Sequence, residues 1–346
     1  MRHPPDAGRR TRSPRVSVLL PVRNGEAHLD EAIGSLAAQT LEDFEVIAID
    51  DGSTDATPEV LGRWAARDAR VRIYRQGARG IVAALERART EARAPYLARM
   101  DADDVCEPER LSAQLALMES DATLAACGCG VRYFPRAFVR DGARRYELWL
   151  NAAITPDQIA RELFVECPLA HPTFFLRARA LAEIGGYRGV PWPEDYDVLL
   201  RLWAAGWRLA KVPEPHLRWR EGPARLSRTD PRYSPAAFLA CKVHHLRRTL
   251  LVGRAGAVVW GAGPVGKAAA RALAAAGVRL FAFVEVDPRK LGKEIHGVPV
   301  VGPEEGAKTR GALHLAAVGQ PGARQRIRET FAKAGFEELR DCVAIA

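Results

Sequence analysis

Asp101 and Asp103 stand two residues apart, directly after the apolar run YLARM (96–100). Carboxylates at i and i+2 past a strand end can converge on one hard cation if the turn re-aims them, and oxygen ligands suit Mg²⁺ or Mn²⁺. Such a cation neutralises charge building on a leaving diphosphate. The same pair also suits a solvated acidic turn, because Asp is common in turns. A second acidic stretch, Asp50-Asp51-Gly52-Ser53-Thr54-Asp55, follows EVIAI (45–49). An Asp there can accept a hydrogen bond from a nucleobase N–H or a ribose hydroxyl; it can equally cap a helix or shape a turn. A third, Pro193-Glu194-Asp195, enters a helical pattern continued by Val198, Leu199, Leu202 and Trp203. Acids in a first helical turn are favoured by the helix dipole. A carboxylate there can also be a general base, taking the proton from an attacking hydroxyl.

These residues need elements to place them. VSVLL (16–20), EVIAI (45–49), VRIY (71–74) and YLARM (96–100) are short apolar runs typical of buried parallel strands. Between them lie helical patterns: Leu29, Ile33 and Leu36; Val60, Leu61 and Trp64 after Thr57 as N-cap and Pro58 as first helical residue; and Ile81, Leu85 and Ala88. The alternation predicts a doubly wound parallel sheet, whose ligands bind beyond the carboxyl ends of the strands. Two of those ends carry the first two acidic stretches. The middle of the chain predicts short strands at 123–131, 172–176 and 207–212 among helices. A helix starting at Ser234-Pro235 follows, through Phe238, Leu239, Val243, Leu246 and Leu250.

Gly253-Arg254-Ala255-Gly256 reads as a linker, and a second strand–helix series begins at 257. AVVW leads into Gly261-x-Gly263-x-x-Gly266 and an Ala-rich helix, the placement a dinucleotide fingerprint requires. Glu285 and Asp287 follow VRLFAFV (278–284), where a ribose-binding acid belongs. The glycines also fit GxxxxGK, but Ala268 stands where a P-loop needs Ser or Thr for Mg²⁺. Either nucleotide binding or a degenerate domain for assembly and docking fits this segment. ALHLAAV (312–318) and CVAIA (342–346) predict later strands. The domains expected are a disordered basic arm over 1–14, a catalytic domain over 15–253 and a Rossmann-like domain over 254–346.

Composition narrows the function classes. The formal charge is +9, of which +4 sits in residues 1–15, with five Arg and one Asp. The remainder is spread thinly and does not imply nucleic acid. No apolar run reaches the ~18 residues that span a bilayer, and the N-terminus lacks the apolar core of a signal peptide. The expectation is a cytoplasmic protein with peripheral contact at the inner face of the membrane. Six Cys (106, 127, 129, 167, 241, 342) form no CxxC pair and are expected as reduced thiols.

VSVLLPVRNGEAHLDEAIGSLAAQT, FEVIAIDDGSTDAT, YLARMDADDVCEPERLSAQ and PWPEDYDVLLRLWAAGW, in this order and spacing over about residues 15–230, closely resemble the family-2 glycosyltransferases of the GT-A fold. The resemblance implies an inverting enzyme that moves a sugar from a nucleotide-diphosphate donor to a glycan or lipid-linked acceptor hydroxyl. It implies base binding by Asp51, ribose and metal binding by Asp101 and Asp103 with Asp103 as the Mg²⁺ or Mn²⁺ ligand, and Asp195 as catalytic base beside Glu194. Pro21, Arg23, Asn24 and Glu26 match the loop that wraps the nucleotide. His171 falls about where relatives approach the acceptor.

There are departures. Glu86 stands where many relatives have Asn. Pro215-His216-Leu217-Arg218-Trp219 keeps Arg-Trp without the Gln of processive synthases, so single transfer is expected. Arg218, Arg220, Arg225 and Arg228 suit diphosphate oxygens or a solvated basic loop. Residues 257–346 resemble the Rossmann-like domains in front of some sugar-modifying acyltransferases, on WGAGPVGK and HGVPVVG. All assigned chemistry lies before residue 230, so residues 257–346 are expected to be dispensable for donor hydrolysis.

Three rivals remain at this point. A nucleotidyltransferase would want a Gly-rich basic loop after the first strand, which PVRNGEAHL lacks. A non-catalytic binding scaffold would not need both acidic pairs. A dehydrogenase would need a Tyr-x-x-x-Lys or comparable group beside the C-terminal fingerprint.

Overall fold

A computed structural model describes residues 13–222 and 225–346. Most of the basic arm expected over 1–14 therefore lies outside the described residues. The chain divides into two compact units. The first comprises residues up to Glu147 with Leu169–Tyr187 and Val212–Glu221; the second comprises Leu148–Pro168, Arg188–Lys211 and Gly222–Ala346.

The first sheet has eight strands: β1 (Val16–Val22), β2 (Phe44–Asp51), β3 (Val71–Gln76), β4 (Tyr96–Arg99), β5 (Val105–Cys106), β6 (Leu124–Phe134), β7 (Phe175–Arg177) and β8 (Arg208–Arg220), in spatial order β3-β2-β1-β4-β7-β6-β8-β5. Strands β3, β2, β1 and β4 are parallel. Strand β7 then runs antiparallel to β4 and to β6. Strand β2 is buried at every position, as its apolar run requires. Strand β1 lies between β2 and β4, so the chain leaves it in opposite directions on its two sides. Ligands in such sheets bind at the switch point, beyond the carboxyl ends, and the loops after β1, β2 and β4 there are among those singled out above.

Two expectations shift. The strand expected at 172–176 is a 3₁₀ turn, His171–Thr173, followed by β7. Helix Thr57–Ala65 has Ala56 at its N-cap position, so Thr57 is already helical. The Thr57 hydroxyl instead accepts from Gly25 N at 2.8 Å.

The second sheet has six strands: β9 (Ala257–Trp260), β10 (Leu280–Val284), β11 (Glu294–Ile295), β12 (Val298–Val301), β13 (Leu313–Ala316) and β14 (Cys342–Ala344), in order β11-β12-β10-β9-β13-β14. All pairings are parallel except the β11–β12 hairpin. Segments from earlier in the chain build the same unit. Val165 packs in one core cluster with Val258, Trp260, Phe331 and Ala344. Glu162 accepts from Trp149 Nε1 (2.9 Å), Arg324 Nη1 (2.7 Å) and Arg328 Nη1 (2.8 Å). The buried Lys242 ammonium donates to the carbonyls of Val165 (2.6 Å) and Ile345 (3.0 Å). All six Cys are free and buried. Among the described residues, no helix is long and apolar enough to cross a membrane.

Candidate active site

The loops after β1 and β2 are knitted together. Asn24, at φ 52°, donates its backbone N–H to Ser53 Oγ (3.0 Å) and accepts from Thr54 N at its Oδ1 (2.9 Å). Glu26 N donates to Asp55 Oδ2 (3.1 Å), and Glu26 Oε2 accepts from Ala56 N (3.2 Å). Pro21, next to last in β1, is half-buried, and Arg23 is exposed. Asp51 is buried and organises the loop after β3. Its Oδ1 accepts from Gln76 Nε2 (2.8 Å) and Arg79 N (2.9 Å), and its Oδ2 from Gly80 N (2.8 Å). Gly52 permits this approach: at φ +74° a Cβ would lie 2.7 Å from Ala78 N. The partner Asp50 accepts from Ser53 N (2.8 Å) and lies 3.2 Å from Arg75 Nε.

After β4, Asp101, Asp103 and Asp104 each bring a carboxylate oxygen within 4.8 Å of the others. Asp101 is paired with the buried guanidinium of Arg99. Asp104 is buried and its Oδ1 accepts from Arg220 N (2.7 Å). Arg220 Nε donates to the Asp103 carbonyl (2.6 Å), and its Nη2 pairs with Glu31. Strand β8 thereby clamps the turn from the side, leaving Asp101 and Asp103 half-exposed. Three oxygens of hard carboxylates in this spacing match the donor set of Mg²⁺ or Mn²⁺.

In the second unit, helix Glu194–Ala204 carries three acids in its first turn, and the structure sorts them. Glu194 is 0% exposed and accepts from the Tyr233 hydroxyl, at 2.7 Å to Oε1 and 2.9 Å to Oε2. Asp197 is buried too, bonded to Trp192 Nε1 (3.0 Å), His245 Nε2 (3.0 Å) and Arg201 Nε (2.7 Å). Burial alone would raise its pKa, but the His245 bond and the Arg201 charge hold it well below the usual carboxylate range. Cys241 Sγ also lies near Asp197 and His245. The cation already on Asp197 makes this a hydrogen-bond network rather than a metal seat. Only Asp195 of the three is half-exposed; its Oδ1 accepts from Tyr196 N at 2.8 Å.

The sequence profile described as Glycosyl transferase family 2 matches residues 17–185. EpsE of Bacillus subtilis (strain 168), described as a putative glycosyltransferase, is 32% identical over 226 residues, which is 64% of this chain and 78% of EpsE. The chain belongs to glycosyl transferase family 2. The O-antigen biosynthesis glycosyltransferase WbnJ of Escherichia coli is 28% identical over 68% of this chain and 89% of its own. Among solved structures, S. aureus TarS 1-349 in complex with UDP-GlcNAc aligns with a TM-score of 0.55, covering 67% of this chain and 66% of that one. At 15% identity this likeness concerns the fold alone, and it is the GT-A fold that the motifs implied.

The family match spans the loops that carry Pro21 through Glu26, Asp51, Asp101, Asp103 and His171 but ends before Glu194 and Asp195, and several of the expected residues are engaged in ways the sequence did not show. Glu86 binds backbone and a neighbouring guanidinium: its Oε1 accepts from Tyr187 N (2.6 Å), and Arg89 clasps both its oxygens at 2.9–3.1 Å. His171 is 7% exposed, stacked edge-on against Phe174 and 3.3 Å from the Tyr187 hydroxyl. Burial, then the Arg99 charge, push its pKa well below 6.5. Arg218 and Arg220 serve the turn at Asp103 and Glu31. Arg99, Tyr233 and Arg232 were missed. Arg99 lies inside an apolar run, and Tyr233 lies 39 residues from Glu194, so no local spacing connects them.

The glycine fingerprint lies outside the family match. Gly261 and Gly263 occupy the turn between β9 and helix Pro264–Ala275, and Gly266 lies in the first turn of that helix. Glu285, immediately after β10, accepts from Ala262 N (3.3 Å) and pairs with Lys290 (2.8 Å). Asp287 is turned onto Arg289, whose hydrogen bonds hold its pKa down to about 2. Of these two acids, Glu285 is the one at the glycine loop.

Proposed function

We propose that this family-2 glycosyltransferase is a divalent-metal-dependent, inverting enzyme. It would transfer one sugar from a nucleoside-diphosphate donor to a hydroxyl of a glycan or lipid-linked acceptor, at the inner face of a membrane. The observation that carries the reading is the sorting of the three acids on helix Glu194–Ala204 by burial: Glu194 and Asp197 are buried, and Asp195 between them is half-exposed. A general base must be reachable by the hydroxyl it deprotonates. WbnJ's name places that relative in O-antigen biosynthesis, which supports a surface-polysaccharide acceptor here.

Asp103, with Asp101 beside it, would hold Mg²⁺ or Mn²⁺, and the hard oxygens gathered in the turn fit such an ion. When bound, the ion supplies positive charge to the departing diphosphate. Asp51 and the loop from Pro21 through Arg23, Asn24 and Glu26 would bind the nucleoside. Asp195 would accept the acceptor proton as its oxygen attacks the anomeric carbon and the bond to diphosphate breaks. One displacement inverts that centre. The C-terminal segment 257–346, with Gly261, Gly263 and Gly266, is assigned to ligand sensing or assembly.

The test is a panel of nucleotide sugars with Mn²⁺ or Mg²⁺, read by thermal shift and donor hydrolysis. One donor should stabilise and turn over only with metal, and Asp103→Ala should remove that dependence together with nearly all turnover. Full activity in EDTA would contradict the reading.

A further inference from the structure

A fully buried carboxylate keeps its charge only where donors meet it. At Glu194 the Tyr233 phenol is a donor, 2.7 and 2.9 Å from the two oxygens. Arg232 adds a guanidinium nitrogen 3.9 Å from Oε2. The turn that delivers both is set by its own sequence. Asp230 accepts from Arg232 N (2.9 Å) and clasps the Arg232 guanidinium through Nε (3.1 and 3.0 Å) and Nη2 (2.6 Å). Pro231 opens the 3₁₀ turn Pro231–Tyr233, and Ser234 caps helix Pro235–Arg248 through Ala237 N (3.3 Å). Near the end of that helix, His245 bonds Asp197. Residues 230–245 thus grip the first turn of helix Glu194–Ala204 at two of its acids. Burial, then the charges of Glu194 and Asp195, push the Tyr233 hydroxyl far above its usual pKa, so it stays a donor at every working pH.

Neighbouring residues leave a helix about 100° apart, since a turn takes ~3.6 residues. Fixing Glu194 inward therefore fixes the direction in which Asp195 points. We propose that Tyr233 is a positioning residue for sugar transfer: by holding Glu194 in the core it sets the helix turn that presents Asp195 to the acceptor. This rests on Asp195 being the base. Without the phenol, the buried Glu194 carboxylate loses its contacts at 2.7 and 2.9 Å and the turn is held less firmly. Small misplacements of a catalytic group cost up to ~100-fold in rate.

The experiment compares Tyr233→Phe, Glu194→Gln, their double variant and Asp195→Asn in steady-state transfer with the donor identified by the panel. Tyr233→Phe should lower kcat roughly 10- to 100-fold with donor KM within about twofold. A merely structural tyrosine would lower thermal stability without that split. The double variant should be no slower than the slower single, because both act through one contact. Should Tyr233→Phe fail to fold, the double variant, which has no buried charge to strand, should fold and show the same kcat loss. Wild-type kcat in Tyr233→Phe, or multiplied losses in the double variant, would overturn the proposal. Wild-type transfer by Asp195→Asn would instead overturn the assignment of the base.

Discussion

Acidic residues in this chain divide by what already meets them. Asp51 accepts three hydrogen bonds and shapes a loop, Asp101 faces Arg99, and Glu194 faces Tyr233. The sequence places each at a strand end or helix start, yet it does not distinguish an acid that binds a ligand from one that holds a turn. His171 makes the same point with a testable pH consequence. Its folded pKa is depressed by burial and by Arg99, whereas an unfolded His titrates near ~6.5. The unfolded state therefore binds more protons as pH drops below that value. The stability His171 contributes is full above about pH 6.5 and is lost as pH falls from there. Thermal stability of the wild type should decline from pH 7.5 to 5.5, and His171→Gln should flatten part of that slope. The buried His314, also depressed, should leave a remainder. An unchanged slope in His171→Gln would place the titration elsewhere.

At the scale of elements, the strands of the parallel half were legible because each is a short apolar run closed by Gly, Asp or Pro, and β1, β2, β3 and β4 begin within a residue of the expected positions. Strand β8 was not. Pro213 and Pro215 argue against a strand beyond 212, but β5 pairs only with Leu217 and Arg218, so no ladder bond is demanded of the prolines on that side. The hairpin of β11 and β12 was also missed, since two residues of β11 are too few to show an alternation. In the fingerprint, Gly266 needs its missing side chain: a Cβ there would sit 1.8 Å from Gly261 O. Ala is ordinarily favoured over Gly within a helix by ~1 kcal/mol. Here the sign should reverse, with Gly266→Ala destabilising by roughly 1–3 kcal/mol through overpacking. Chemical denaturation checks this, and a stabilised variant would mean the turn is looser than described.

For the whole molecule, the division expected at residue 253 does not coincide with how the second unit is built. That unit includes Leu148–Pro168 and Arg188–Lys211 as well as the C-terminal sheet. A fragment ending at Gly253 would keep Val165 without Val258, Trp260 or Ala344, and Lys242 without the Ile345 carbonyl. Burial lowers the pKa of Lys242, the sign of a charge that depends on its partners. Uncovered apolar surface and the loss of one of the two carbonyls that meet the ammonium both act against folding. Residues 1–253 expressed alone should therefore be insoluble or unfold without cooperativity, despite containing every assigned catalytic residue. A soluble fragment with donor turnover would restore the boundary at 253. The glycine-rich linker that suggests a cut there is local, whereas the contacts of Glu162, Val165 and Lys242 with the C-terminal segment link residues about 90 to 180 positions apart.

The central claim is that Asp195 is the base. The direct measurement is the transfer rate of Asp195→Asn, which removes the proton acceptor and keeps the shape, with donor binding followed in parallel by thermal shift. The account expects kcat to fall by ~10²–10⁴ while donor binding survives. Transfer at the wild-type rate would contradict it.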